Sequence, residues 1–423
     1  VRAGEEMLRF IADAYPICRS ITGDGVRRTL AMIQERIPLE IREVPTGTPV
    51  FDWTVPREWN VRDAWIKDPS GCKVVDFQAC NLHVLNYSVP VHERLSLAEL
   101  KKHLFALPDK PDLIPYRTSY YKEAWGFCLR HRTLEALPDG EYEVLIDSTL
   151  ADGSLTYGEC LLPGDSEREV LLSTHVCHPS LCNDNLSGIA VITELAHELQ
   201  SRPRRRYSYR FLFIPGTIGS ITWLALNDVK IDHGIVAANL GDPGKFHYKK
   251  SRRGNAEIDR AVLSVLQSSG EPFGVEEFVP FGYDERQFCS PGFNLGVGSL
   301  TRTPYGRYPE YHTSADDLDF VKPEALEGSL RAYLAVMDVL EGNRRYLNLN
   351  PKCEPQLGRR GLYRTIGGDE SGRARELALL WVLNFSDGEN DLLDIAERSG
   401  LSFAAIREAA DALLEVGLLE EAP

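Results

Sequence analysis

The chain has 423 residues, 43% of them hydrophobic and 26% charged, and carries a formal net charge of −15. That length exceeds what one ordinary core organises and predicts two or three domains; no apolar run approaches the roughly 20 residues that cross a bilayer. The acidic balance argues against general nucleic-acid or anionic-membrane binding, since both need basic surface to displace counterions.

Nine cysteines occur without CxxC pairs. An odd number leaves a thiol unpaired, which points to reduced thiols and a cytoplasmic protein. The opening VRAGEEMLRF lacks the charged-then-apolar layout of a secretion signal.

In chain order, Glu5 to Tyr15 and Gly25 to Glu35 carry apolar residues at helical spacing on either side of SITGDG. From Pro45 to about residue 137, Pro and Gly punctuate short strand-like runs such as Lys73 to Phe77. The exception is Ser96 to Leu104, a predicted helix whose Ser96 and Glu99 form a capping-box pattern. Tyr116, Tyr120, Tyr121, Trp125 and Phe127 then crowd one short piece, which reads as the core and interface of a small β-domain ahead of a ligand pocket. Tyr142 to Asp147 and Gly158 to Leu162 follow as strands of a sheet edge joined by the turn Asp152-Gly153.

The apolar run Val170 to Leu172 predicts a buried strand that empties into a loop carrying His175, His178 and Asp184, before a helix over Ile189 to Gln200. Loops at the carboxyl ends of such strands gather ligand groups, and imidazole with carboxylate suits Zn²⁺. The competing reading is a His-rich turn whose imidazoles satisfy backbone groups. Tyr209 to Ile214 predicts a central strand leading through Pro215 and Gly216 into another helix. Ile235 to Leu240 is a further strand that delivers Asp242, residues 254 to 269 are a helix, and Gly292 to Leu300 is a strand before a loop with His312. A helix from Pro323 to Glu341 closes this part. The alternation predicts an α/β fold: a mixed, mostly parallel sheet flanked by helices.

An Asn-, Gly-, Arg- and Pro-rich linker is placed at 346–372. After it, Arg375 to Leu383, Leu392 to Glu397 and Ser402 to Glu415 have the layout of a winged helix. From Arg373 to Pro423 there are four Arg and no Lys against eleven acidic residues. Nucleic acid is therefore disfavoured for this module, and a protein partner or homo-oligomer contact is expected instead.

Four features now stand in order: HVCHPSLCNDNLSG after one strand, FIPGTIGS after the next, NLGDPG after another, and YHTSADDLD near the sheet's end. Together they resemble the zinc aminopeptidases with a transferrin-receptor-type or bacterial leucyl-aminopeptidase-type catalytic domain. More closely they resemble a bacterial group of aminopeptidase-like proteins associated with polysaccharide or secondary-metabolite gene clusters. The resemblance implies a zinc aminopeptidase-like domain over 1–45 and 138–345, an inserted β-rich domain over 46–137, and a winged-helix-like domain over 373–423.

It also implies roles. His175 takes the place of the first metal His, with His178 a rival for that position; Asp184 is the carboxylate bridging two zincs, Asp242 a carboxylate on one metal, and His312 the last His. Where the aminopeptidases have a Glu-Glu pair this chain has Pro215-Gly216-Thr217, and Gly216 can neither accept a proton nor bind metal. A single zinc held by a subset of these groups is expected. Glu285, beside Asp284, and Glu310 are the candidate substitute acids, with Arg286 and Tyr311 on the substrate side and Arg302 near them. The expected function is a zinc-dependent hydrolase cleaving an amide bond of a peptide or small biosynthetic intermediate. The alternative is a catalytically silent binding or scaffold protein on the same fold.

Overall fold

The computed structural model describes residues 3–363 and 370–422. It divides into two compact units: Val1–Ala256 with Pro272–Arg331, and Glu257–Glu271 with Ala332–Pro423.

The first unit is organised on an eight-stranded sheet: β1 (Glu40–Pro45), β2 (Ser154–Leu162), β3 (Glu169–His175), β4 (Ser208–Ile214), β5 (Ile231–Ala237), β6 (Phe246–Lys249), β7 (Phe273–Glu276) and β8 (Gly296–Thr301). Their order across the sheet is β1-β2-β4-β3-β5-β8-β6-β7. The centre, β4-β3-β5-β8, is parallel, whereas β1 and β2 on one side and β6 against β8 on the other run antiparallel. This is the mixed, mostly parallel sheet the alternation predicts.

Every residue of β3 is buried, as expected of a central parallel strand covered on both faces. Val170, Leu171 and Leu172 are each 0% exposed, and such burial stabilises by about 1.5–3 kcal/mol per side chain. The helix Gly188–Gln200 packs on β3 and β4, and Asp24–Gln34 on β1 and β2. The register pairs His175 with Ile214, Thr174 with Ala237, and Ala237 with Leu300. The carboxyl ends of β3, β4, β5 and β8 therefore lie level, and the loops that follow them share one edge of the sheet.

A second, four-stranded antiparallel sheet has the order Lys73–Asp76, Glu58–Lys67, Glu141–Ala151, Val91–Ser96. Its long strand Glu141–Ala151 corrects one expectation. The strands on either side of Asp152-Gly153 do not share a sheet: Glu141–Ala151 sits here, with Tyr142, Val144 and Ile146 buried, while β2 belongs to the large sheet. The Ser96–Glu99 capping box forms, but the helix behind it is short, Leu97–Leu100 continued by a 3-10 turn over Lys101–His103.

In the second unit three helices, Glu370–Phe385, Leu392–Ser399 and Phe403–Glu415, enclose a core that includes Leu379, Val382, Leu393, Ile406 and Leu413. A three-stranded sheet completes the winged helix, with Arg345–Asn348 between Asp387–Asp391 and Leu419–Glu421. The expected linker thus opens on a strand, and residues 364–369 of it lie outside the described residues. The helix Glu257–Ser268 groups with this unit, where Arg260 faces Asp391, Asp394 and Glu397. No helix among the described residues is long and apolar enough to cross a membrane.

Candidate metal centre

His175 is the last residue of β3, and the loop behind it turns back so that Asp184 faces it. His175 Nε2 lies 2.9 Å from Asp184 Oδ1 and 2.9 Å from His178 Nδ1, and His178 Nδ1 is 3.6 Å from the same oxygen. His312, 128 residues later, brings Nε2 to 2.9 Å from Asp184 Oδ2. Each oxygen of one carboxylate thus meets an imidazole nitrogen. Asp184 is fully buried, and His175 nearly so.

Burial pushes the Asp184 carboxyl up, but the charges and hydrogen bonds of His178, His175 and His312 outweigh it and hold the group well below the usual carboxylate range. Burial lowers the His178 imidazole to about 3 despite the opposing pull of Asp184. A neutral His178 imidazole beside an ionised Asp184 carboxylate is a protonation state that binds a cation.

The loop is held from behind. Asp316 accepts the backbone N–H groups of Asn183 (2.5 Å) and Asp184 (2.9 Å), and burial pushes its own carboxyl up to about 8. Aromatic rings wall the imidazoles in. Tyr283 stacks on His175 with centroids 5.4 Å apart, Tyr311 on His312 at 3.9 Å, and Tyr116 sets its ring edge-on to both His178 (5.1 Å) and His312 (5.0 Å).

His175, His178, Asp184, His312 and Tyr311 are therefore brought together. Asp242 is not part of the close set formed by His175, His178 and Asp184. Its oxygens are taken by Asn183 Nδ2, Gly244 N, Thr303 N and Thr303 Oγ1 at 2.5–3.2 Å. Glu285 is fully buried and ion-paired with Lys249. Glu310 engages Thr313 through its backbone carbonyl, and Arg302 ties Gly244 O and Ser329 Oγ. Arg286 reaches Thr217 Oγ1 at 3.4 Å. Asp284 sits nearer the Gly216 turn than Glu285 does, accepting from Thr217 N at 2.6 Å and Ser220 Oγ at 3.0 Å. At Gly216 itself, an added Cβ would meet only Cys177 Sγ at 3.5 Å and His175 Cβ at 3.8 Å, so this turn faces the centre with room for a side chain.

The profile of the family described as domain of unknown function (DUF4910) matches residues 8–343. The chain belongs to the DUF4910 family. A winged helix-turn-helix profile matches 344–421 of this DUF4910 protein. A Clostridium acetobutylicum protein provisionally named a polysaccharide biosynthesis protein with an aminopeptidase-like domain is 55% identical over 420 residues, 99% of this chain and 96% of its own. A crystal structure of a provisionally named peptidase from the same organism superposes with a TM-score of 0.94 at 53% identity, covering 99% and 96% of the two chains. The zinc aminopeptidase BSAP from Bacillus subtilis superposes with a TM-score of 0.58 at 12% identity over 79% of this chain and 94% of its own, a likeness of fold. The DUF4910 chain thus has the aminopeptidase fold followed by a winged helix.

Sequence reasoning missed Tyr116 and Asp316 as parts of the centre. The aromatic cluster signalled Tyr116 but was read chiefly as core. The structure shows the β-bridge Pro115 to Thr313 and the Tyr116 N to His312 O bond (2.8 Å) that carry it there. Asp316 lies inside the quoted motif YHTSADDLD, yet nothing local distinguishes it from its neighbour Asp317.

Proposed function

We propose that this protein is a zinc-dependent, aminopeptidase-like amide hydrolase acting on a peptide or on a small amine-bearing intermediate. The observation that carries the reading is the convergence of three imidazoles on the two oxygens of one buried carboxylate at the carboxyl edge of a parallel sheet. A mixed nitrogen and oxygen donor set of this kind fits Zn²⁺. His175, His178, Asp184 and His312 would hold the ion, which supplies Lewis acidity toward a carbonyl and lowers the pKa of water.

The chain's own groups do the remaining work. Asp316 keeps the 183–184 backbone fixed, so the Asp184 carboxylate need not reorganise. Tyr283, Tyr116 and Tyr311 pack on the imidazoles and restrict their orientation. Arg286, whose Nε has no hydrogen-bond partner among the described residues, would meet a carboxylate on the substrate. The C. acetobutylicum relative's name supports a substrate made in carbohydrate assembly in place of general peptides.

One feature favours a second reading, a silent relative that binds without turnover: Gly216, whose added Cβ would lie 3.8 Å from His175 Cβ, itself supplies no acid. The deciding experiment measures zinc content together with hydrolysis of a panel of aminoacyl amides, for the natural chain, His312→Ala and Gly216→Glu. Bound zinc with turnover that His312→Ala abolishes supports the hydrolase. Bound zinc with turnover only in Gly216→Glu supports the silent relative, and absence of bound metal sinks the hydrolase.

A further inference from the structure

Arg19 is 1% exposed, in the turn between the first two helices, and among the described residues no carboxylate pairs with it. Burying a guanidinium costs several kcal/mol unless its donors are satisfied. Here they are satisfied by backbone carbonyls. Nε donates to His178 O at 2.7 Å, Nη2 to Pro179 O at 2.7 Å, and Nη1 to Ala14 O at 2.8 Å with Thr29 Oγ1 at 3.4 Å.

Two of these partners are consecutive carbonyls of the loop that carries His178. A planar guanidinium has its donors in a fixed fork, so engaging both carbonyls sets the orientation of both peptide planes, and with them the direction in which the His178 side chain leaves the backbone. The next residue is tied as well, since Ser180 Oγ donates to Tyr15 O at 2.6 Å and Ser180 N to Asn81 Oδ1 at 3.2 Å. Arg19 is itself anchored: Asn86 Nδ2 donates to its carbonyl at 3.0 Å, and Ser20 Oγ to Asn86 Oδ1 at 2.5 Å. Asn86 pairs with Thr118, two residues from Tyr116, which packs on the His178 ring. The backbone of the loop and the ring of His178 are thus gripped from opposite ends of one connected set of contacts.

We propose that Arg19 is a positioning residue for a divalent transition-metal cation, holding the carbonyls of His178 and Pro179 so that the His178 imidazole stands beside His175 and Asp184 as a ligand. The inference rests on the metal reading above. A purely scaffolding arginine would contribute to stability without altering the cation's ligand set.

The test uses the full chain and Co²⁺, comparing the natural protein, His178→Ala, Arg19→Met and Arg19→Lys. Affinity is measured by competition with a chromophoric chelator, and the ligand set by the visible absorption spectrum of the bound ion. Loss of an outer-shell partner weakens metal binding by about 10- to 100-fold, so Arg19→Met is expected to weaken Co²⁺ by that factor and to shift the spectrum toward that of His178→Ala. Arg19→Lys, which retains the charge and reaches one carbonyl, is expected to lose less. A folded Arg19→Met with the natural affinity and spectrum overturns the proposal. So does a His178→Ala protein indistinguishable from the natural one. If Arg19→Met fails to give a cooperative melt, Arg19→Lys decides: natural affinity and spectrum there overturn the proposal, and a weaker, shifted complex supports it. A natural protein that binds no Co²⁺ overturns the metal reading itself, and does so before any Arg19 variant is measured.

Discussion

Asp316 never meets the imidazoles, yet it fixes the residue they converge on. Its carboxyl accepts two buried backbone N–H groups, and removing a partner from buried donors costs about 1–3 kcal/mol. Asp316→Ala is therefore expected to lower unfolding stability by at least that amount in urea, with a parallel loss of bound zinc. If zinc binding were untouched, Asp316 would be scaffold only. His312 differs: it is partly exposed, at 33%, and its ring closes the cluster from the far side. His312→Ala leaves the buried Asp184 Oδ2 without its imidazole partner and is expected to cost about 1–3 kcal/mol in urea, while metal content falls when read by elemental analysis after dialysis.

Two elements of the first unit carry predictions of their own. In β3, Leu172 is 0% exposed at the middle of the sheet, and Leu172→Ala is expected to cost about 2–5 kcal/mol, measured by chemical denaturation. At the start of the strand Glu58–Lys67, Glu58 receives two hydrogen bonds from Arg27 of the helix Asp24–Gln34, both 2.7 Å. Those bonds, against the opposing effect of burial, hold its carboxyl at about 2. Because the folded value lies below the unfolded one, the pair's contribution is fully present above the unfolded carboxyl range and is lost as pH falls from there through about 2. The stability gap between the natural chain and Glu58→Gln is thus expected to be widest near neutrality and to shrink in acid. A gap that grew in acid would contradict the pairing.

On the scale of the whole molecule, the winged helix is the part most easily misread. Its helix Phe403–Glu415 leaves Glu408, Asp411 and Glu415 exposed at one-face spacing, with Arg407 the only basic residue in it. A helix of that character offers little positive charge to phosphates. Duplex DNA is expected to give no change in fluorescence anisotropy at physiological salt, and a salt-sensitive rise would refute this. The −15 net charge of the chain points the same way.

Much of this protein is legible in its sequence because the legible features are local. Apolar runs of strand length, helical spacing after them, and polar residues where each run ends gave the parallel centre of the sheet and nominated His175, His178 and Asp184, and the resemblance to the zinc aminopeptidases added His312. What stayed hidden depends on partners distant along the chain. Arg19 meets a carbonyl 159 residues away, Tyr116 arrives through a bridge to Thr313, and Asp242 accepts from Thr303 while Glu285 pairs with Lys249, partners that no local pattern announces. Side-chain periodicity determines which faces must be buried, but the choice of which buried polar groups meet rests on sheet register and loop closure. Those are set by the sum of contacts across the chain, and only the tertiary structure decides them.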